Sequence, residues 1–382
     1  MKNRKHGAGR LVTGPGGYEA FIPDPLPPRI DFSTRLLRVL SDADRLVGRL
    51  AGEGRSLPNP HLLMRPFIKR EAVLSSRIEG TQATLGELLA ADAGAAVERS
   101  PDDLREVANY VTALEHGIKR LKSLPLSLRL VRELHEKLMQ GVRGGHATPG
   151  EFRRSQNWIG PPGCTLQNAS YVPAPPDELM ACLGKWEDSL HDRSVPPLVH
   201  MGLLHYQFEA IHPFLDGNGR VGRLLITLFL VERGILPTPL LYLSAFFEAT
   251  RVDYYARLAA VSNRAAWGDW LEYFLNGVAR MSEDACSRAE RINSLLAKWR
   301  QTVAGTSSKA PAALIELLAE NPFWAVGRLA DRLKVAFTTA QRAVDTLASR
   351  GILEQVGDAR RGRVFCAKEL MAILDEPPRL SA

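Results

Sequence analysis

The stretch His212-Pro-Phe-Leu-Asp-Gly-Asn-Gly-Arg-Val-Gly-Arg223 brings a base, an acid, closely spaced glycines and two arginines together in the chain. Proline disfavours helical geometry in the residue before it. A helix from Leu198 to Ile211 is therefore expected to stop at His212-Pro213, and a new one to start within Gly217-Asn218-Gly219. The free N–H groups and positive dipole end of that second helix form an anion site, and the glycines let a ligand approach the backbone. Arg220 and Arg223 are three apart, share a helix face near that end, and suit successive phosphates of one polyphosphate. Asp216 offers a hard oxygen to a magnesium ion bridging the same phosphates, and His212 offers a base near neutral pH. Together these groups predict phosphorus-centred transfer to a hydroxyl nucleophile. The structural alternative is a histidine C-cap, a glycine turn and a solvated arginine face. Against it, ten specified positions at about 5% usage each give a chance match on the order of 10^-13 per site.

Helical patterns dominate the segments that must position these residues. Apolar periodicity begins near Leu36, and a second helical stretch from about Pro60 to Ile78 ends at Gly80, a residue suited to a left-handed C-cap. Thr84 and Glu87 have the spacing of a capping box. From Asp102 to Arg280 the stripes Leu104, Val107, Val111, Leu114 and Leu198, Met201, Leu204, Phe208, Ile211 predict a helical core. Trp158 to Pro176, rich in Pro, Gly and Asn, reads as a short hairpin or loop projecting from it. Ahead of all this, the prolines through Pro23-Asp-Pro-Leu-Pro-Pro28 predict an extended arm. Val303 to Pro311 is small, polar and breaker-rich, which predicts a linker. Helices at Ala312–Ala319, Val326–Leu333 and Thr338–Ser349, then strands at Ile352–Val356 and Arg363–Cys366, spell a winged helix-turn-helix. The expected fold is mainly α, in four parts: 1–100, an arm and a regulatory helix; 101–280, the catalytic core; 281–309, helix and linker; 310–382, the winged helix.

The chain has 382 residues, 45% hydrophobic and 24% charged, as soluble globular proteins are. Its net charge of +7 suits an anionic ligand but is too diffuse to name one. Cys164, Cys182, Cys286 and Cys366 are far apart and form no C-x-x-C pair, so neither a zinc knuckle nor a disulfide framework is indicated. A reducing cytoplasm is the natural setting. The basic start lacks an apolar segment after it, and the longest apolar run, Leu224 to Val231, is too short for a bilayer, so no membrane partner is expected.

The motif from His212 to Arg223 resembles the signature of the Fic family, H-P-F-x-[D/E]-G-N-G-R-x-x-R, and every fixed position is present. The resemblance extends to Tyr18-Glu-Ala-Phe-Ile-Pro23 with Leu26-Pro-Pro28, Gly150-Glu-Phe-Arg153, Trp158-Ile-Gly160 and Leu241-Tyr-Leu-Ser244. It implies an all-helical core and transfer of AMP from ATP, with Mg2+, to a Ser, Thr or Tyr hydroxyl of a protein substrate, the chain itself included. His212 would deprotonate the hydroxyl and Asp216 would hold the metal. Gly217, Asn218, Gly219, Arg220, Val221, Gly222 and Arg223 would bind the nucleotide phosphates. Gly219 stands where phosphate-transferring relatives resemble a degenerate pattern with lysine nearby, which argues against kinase chemistry.

Ser75-Ser-Arg-Ile-Glu79-Gly80 is similar to the family's inhibitory-helix pattern [S/T]-x-x-x-E-[G/N]. Ser75 and Glu79 share a helix face, and a carboxylate offered to Arg223 would occupy the site that the terminal phosphate of ATP needs. In some Fic proteins the same glutamate assists removal of AMP, and that reverse activity is left open. By resemblance the Trp158–Pro176 loop is the flap that pairs with an extended target segment. Tyr254 and Tyr255 resemble a pair that walls the adenine base, and aromatic packing is their other reading. His205, a lone helical histidine, reads as structural.

In the C-terminal module Thr338, Thr339, Gln341 and Arg342 head the recognition helix, and Arg360, Arg361 and Arg363 crowd the wing tip. Residues 310–382 carry ten Lys+Arg and nine Asp+Glu, a thin surplus for phosphate neutralisation. DNA and protein are therefore both open as partners of this module, and self-association as a homodimer is also open. The rival to an AMP-transferring enzyme is a DNA-binding regulator whose core senses nucleotide.

Overall fold

Short segments separated by glycines open the chain as an antiparallel sheet in the order β1 (Asn3–His6), β2 (Gly9–Thr13), β3 (Glu19–Pro23). The computed structural model describes residues 3–56, 60–142, 148–357 and 361–379. The expected extended arm is extended but not free. Gly7, Gly16 and Gly17 take left-handed backbone in the two turns, so the chain folds back and its backbone groups pair. The prolines act only at the end, stopping the last strand at Pro23.

Among the described residues eleven helices follow: α1 (Thr34–Ser56), α2 (Pro60–Ile78), α3 (Leu85–Asp92), α4 (Pro101–Arg120), α5 (Leu128–Leu138), α6 (Pro176–Leu190), α7 (Pro197–Ile211), α8 (Asn218–Glu232), α9 (Ser244–Ala249), α10 (Arg251–Arg264) and α11 (Trp267–Val303). Local signals place several boundaries. Gly80 has φ 101 just past α2, and α3 opens with the expected box, since Thr84 Oγ1 accepts from the Glu87 amide while Glu87 accepts from the Thr84 amide. Such a cap is worth about 1 kcal/mol. The Leu198 to Ile211 stripe is buried, but so are His200, His205 and Gln207 on the other faces of α7. This helix is therefore the central one, not an amphipathic surface helix.

α2 lies against α4 and α9. Glu71 fastens it, accepting from the Tyr110 hydroxyl of α4 at 3.1 Å and from the Ser244 amide of α9 at 3.2 Å. The Trp158–Pro176 segment is a loop closed by a single antiparallel bridge, Ile159 to Tyr171. Its return limb is docked: the Phe21 amide of β3 donates to Val172 O at 2.8 Å, and the Tyr171 hydroxyl donates to Ala210 O of α7 at 2.7 Å. The opening sheet thus braces the flap.

α11 runs unbroken through the boundary expected at 280/281, because apolar positions such as Val278, Met281, Ala285, Ile292 and Trp299 keep one face buried throughout. After a link at 304–309 come α12 (Ala310–Glu320), β4 (Phe323–Ala325), α13 (Val326–Leu333), α14 (Phe337–Ser349), β5 (Glu354–Val356), β6 (Val364–Cys366) and α15 (Lys368–Asp375). β4 and α15 are additions to the sequence expectation, and the sheet order is β4-β6-β5. α12 packs on both α2 and α11, so these elements bear on the helix that carries Ser75. Among the described residues no helix is long and apolar enough to cross a membrane, and the four cysteines are free.

Candidate functional site

Pro213 ends α7, and His212 leaves the helix in left-handed geometry, φ 50 and ψ 62. The turn to α8 is then held from several sides. Asn218 accepts from the Phe214 amide and donates to the Phe214 carbonyl, both at 2.8 Å, and Asn157 donates to the same carbonyl at 2.8 Å. Phe214 stacks on His135 at 3.7 Å between ring centroids. His135 accepts from the Gly150 amide on Nδ1, which leaves Nε2–H to donate to Asp216 O at 3.1 Å. Burial pushes that imidazole down to about 4, so it stays neutral in this role. Arg153 donates to His212 O at 2.9 Å and to Ala174 O at 2.5 Å, tying the turn to the flap's return limb.

His135, Arg153 and Asn157 thus position the motif without belonging to it. Arg153 lay in a segment that the sequence singled out by resemblance; His135 and Asn157 carried no local signal. Asn218→Ala removes the partner of the Phe214 amide and should lower stability by about 1–3 kcal/mol, read as a reduced Tm. A Tm matching the native chain would show that the Asn218 bonds do not hold the turn.

His212 lines a cavity of about 630 Å³ together with Glu79, Trp158, Gly219, Arg223 and Tyr255. Burial pushes the His212 imidazole down to about 4, with the Arg153 charge adding and the Glu209 carbonyl, Glu79 and Asp216 opposing. At neutral pH it is an unprotonated base. Its Nδ1 is buried with no hydrogen-bond partner among the described residues.

Arg223, with 2% of its side chain exposed, donates from Nε to Ser75 Oγ at 2.8 Å and from Nη2 to Ser75 O at 3.0 Å and Glu79 Oε1 at 2.6 Å. Burial pushes Glu79 upward, but the Arg223 charge and hydrogen bond outweigh it and hold the carboxyl below its ordinary range. Burial also works against the Arg223 charge, and Glu79 more than restores it. The same carboxylate crowds the start of α8, since a Cβ at Gly219 would lie 2.3 Å from Glu79 Oε1.

Three expected phosphate ligands are arranged differently. Both polar atoms of the Asn218 side chain are engaged with Phe214, so that side chain builds the turn. The Val221 side chain is in the core and its amide already donates to Gly217 O at 3.0 Å; the open amides of α8 are those ahead of it. Gly222 makes room, because a Cβ there would lie 2.4 Å from Glu209 Oε1. Gly217, at φ 78, turns into the helix as expected. Arg220 faces other partners than Arg223, lying 3.5 Å from Glu106 and 3.5 Å from Asp216.

Asp216 is half exposed, and its Oδ1 receives the Gly217 amide. Among the described residues no three His, Cys, Asp or Glu side chains gather as a metal cage. A single carboxylate at the mouth of an anion site still fits magnesium, which binds through one or two carboxylates plus phosphates and water. Tyr254 and Tyr255 both line the cavity. Tyr254 is buried with its hydroxyl 2.9 Å from His205 Nε2, and Tyr255 is the more exposed ring. Burial pushes His205 down to about 3, in keeping with a neutral structural histidine.

Residues 37–119 match the Fic/DOC family N-terminal model and residues 125–230 the Fic/DOC family model. The chain carries a Fic/DOC family core. It is similar to the protein adenylyltransferases Fic of Drosophila virilis and Drosophila ananassae, 31% identical to each over 169 residues. Those matches cover 42% of this chain and 32% and 31% of the relatives, so the chain spans about a third of their length. A Fic family protein from Desulfovibrio desulfuricans G20 has a similar fold, with a TM-score of 0.60 at 21% identity over 90% of this chain and 98% of that one. Fic-1 from C. elegans aligns with a TM-score of 0.52 at 24% identity, over 68% of this chain and 74% of that one. The matched residues are helical, from α1 to α8, and both antiparallel sheets lie outside them.

Proposed function

We propose that this Fic/DOC chain transfers AMP from ATP to a Ser, Thr or Tyr hydroxyl of a protein, itself included, and that Glu79 restrains it. One observation carries this reading: an unprotonated His212 and the buried cation of Arg223 share one cavity at the N-terminus of α8. The amides of Gly219 and its neighbours would hold the phosphates, with Arg223 taking the terminal one. His212 accepts the proton of the target hydroxyl, whose oxygen bonds to the α-phosphorus as the bond to the β-phosphate oxygen breaks; pyrophosphate leaves with that electron pair. A magnesium ion held by Asp216 would supply charge neutralisation along the phosphates. Trp158 and Ile159, both partly exposed at the cavity, offer the flap edge along which an extended target segment pairs. With Glu79 on Arg223, the guanidinium that would take the terminal phosphate is already paired.

The Glu79→Gly variant incubated with ATP labelled on the α-phosphate should become labelled, and with the γ-phosphate labelled it should not. Label only from the γ-position would mean phosphate transfer and would sink this reading. ATP binding with no transfer at all would favour a nucleotide-sensing core instead.

The C-terminal elements read as a winged helix-turn-helix, and they favour DNA less than the core favours transfer. Gln341 bonds to both Arg363 and Asp345, which ties up part of the expected reading face and adds an acid to it. Thr338 and Arg342 remain exposed on α14, while Arg360 lies outside the described residues.

A further inference from the structure

The cavity holds a titratable side chain that the transfer chemistry does not use. Glu209 lies on α7 one turn before His212, lines the same cavity, and has its Oε1 buried with no hydrogen-bond partner among the described residues. Buried polar groups are nearly always partnered, so an open carboxyl beside a functional site calls for a use. Room is made for it, because Gly222 in the first turn of α8 stands where any Cβ would collide with Oε1. The next residue is Arg223.

We infer that Glu209 is a second carboxyl for Arg223, standing behind Glu79: protonated, it leaves the guanidinium to the phosphates of a nucleotide, and ionised, it pairs with Arg223 once Glu79 has withdrawn. The inference rests on the nucleotide site proposed above. Arg223 is buried, and its two bonds to Ser75 keep it from swinging into water when Glu79 goes. A buried cation stripped of its partner is strongly disfavoured, and Glu209 lines the same cavity with its Oε1 unpartnered among the described residues.

Of the charged and titratable groups around Glu209, Arg223 from α8, Glu79 from beyond α2, and Tyr254 and Tyr255 from α10 act on it or feel its charge, while Arg251 from α10, Tyr171 from the flap, and Tyr206 and His212 from its own helix line the same cavity. Burial pushes Glu209 up to about 7, Arg223 opposing and Glu79 adding to the rise. Removing Glu79 takes away that added push, so Glu209 ionises at a lower pH and competes with phosphate across the neutral range.

The test is isothermal titration of ATP into Glu79→Gly and into Glu79→Gly/Glu209→Gln between about pH 5.5 and 8.5, the range that brackets the Glu209 titration. In the single variant the Kd for ATP should rise about tenfold per pH unit above that titration, because only the protonated fraction is competent. The double variant should show only the shallow dependence of ATP's own protonation and bind tighter at the alkaline end. Glu209→Ala in the same background, which empties the position instead of neutralising it, should flatten the profile in the same way. Superimposable pH profiles for the single and double variants, each with a cooperative thermal melt, would overturn the role of Glu209. Absence of ATP binding in all three variants at every pH would overturn the adenylyl-transfer reading, and this inference with it.

Discussion

Replacing Glu79 with glycine raises self-labelling of the chain by α-labelled ATP roughly ten- to a hundredfold over the unaltered chain, counted as label retained on the protein. The size follows from the contact that is lost. Glu79 Oε1 sits 2.6 Å from Arg223 Nη2, and a charge-assisted hydrogen bond of this kind is worth about 1.5–3 kcal/mol. ATP binds only the fraction of molecules in which that bond is open, so its apparent affinity is reduced by that fraction. The carboxylate also crowds Gly219, and its removal opens the approach to the α8 amides as well.

Acid should not substitute for the mutation. Arg223 holds Glu79 below its ordinary range, so the contact is fully present above that range and is lost only as pH falls through the depressed value. His212 titrates at about 4, so the base is being protonated in much the same acid range. Equal labelling of the glycine variant and the unaltered chain would remove the restraint from the account.

His212→Ala in the Glu79→Gly background should lower labelling by about 10^2–10^4-fold while leaving ATP binding in place. The imidazole sits at the cavity wall and serves the proposed reaction as base, so its loss should fall on the transfer step and not on affinity. At saturating ATP the rate of Glu79→Gly should fall as pH drops through His212's value, and His212 itself should give no basic limb near neutrality. A His212→Ala variant that still labels at the parent rate would require another base.

The reach of sequence reasoning is clearest at the two helix ends that make the site. Proline at 213 and glycine at 217 act on their own neighbours, so the stop of α7 and the start of α8 could be placed from a few adjacent residues. The same holds for the Thr84 to Glu87 box and for Gly80 after α2. The opening sheet was missed because its strands are short and in part polar, and their pairing depends on two glycine turns, not on apolar alternation. The boundary at 280/281 marked the end of the core pattern, and α11 crosses it because its buried face continues to Val303.

By itself, the order of residues determined which groups stand together at the centre of this protein: a histidine, a glycine-flanked helix start and two arginines at spacings local enough to be geometric. It also paired Glu79 with Arg223 through a resemblance, and the two side chains do meet. Only the tertiary structure decided what each group is free to do. Asn218 and Val221 look available in a motif and are engaged in a folded turn, while Glu209 looks like one more helical acid and lies open in the cavity. Glu71, Tyr110 and His135 act across tens of residues of chain, through contacts that burial selects. Spacing along a helix specifies which side chains share a face; whether a face meets solvent, a carbonyl or another charge is set by the elements packed against it.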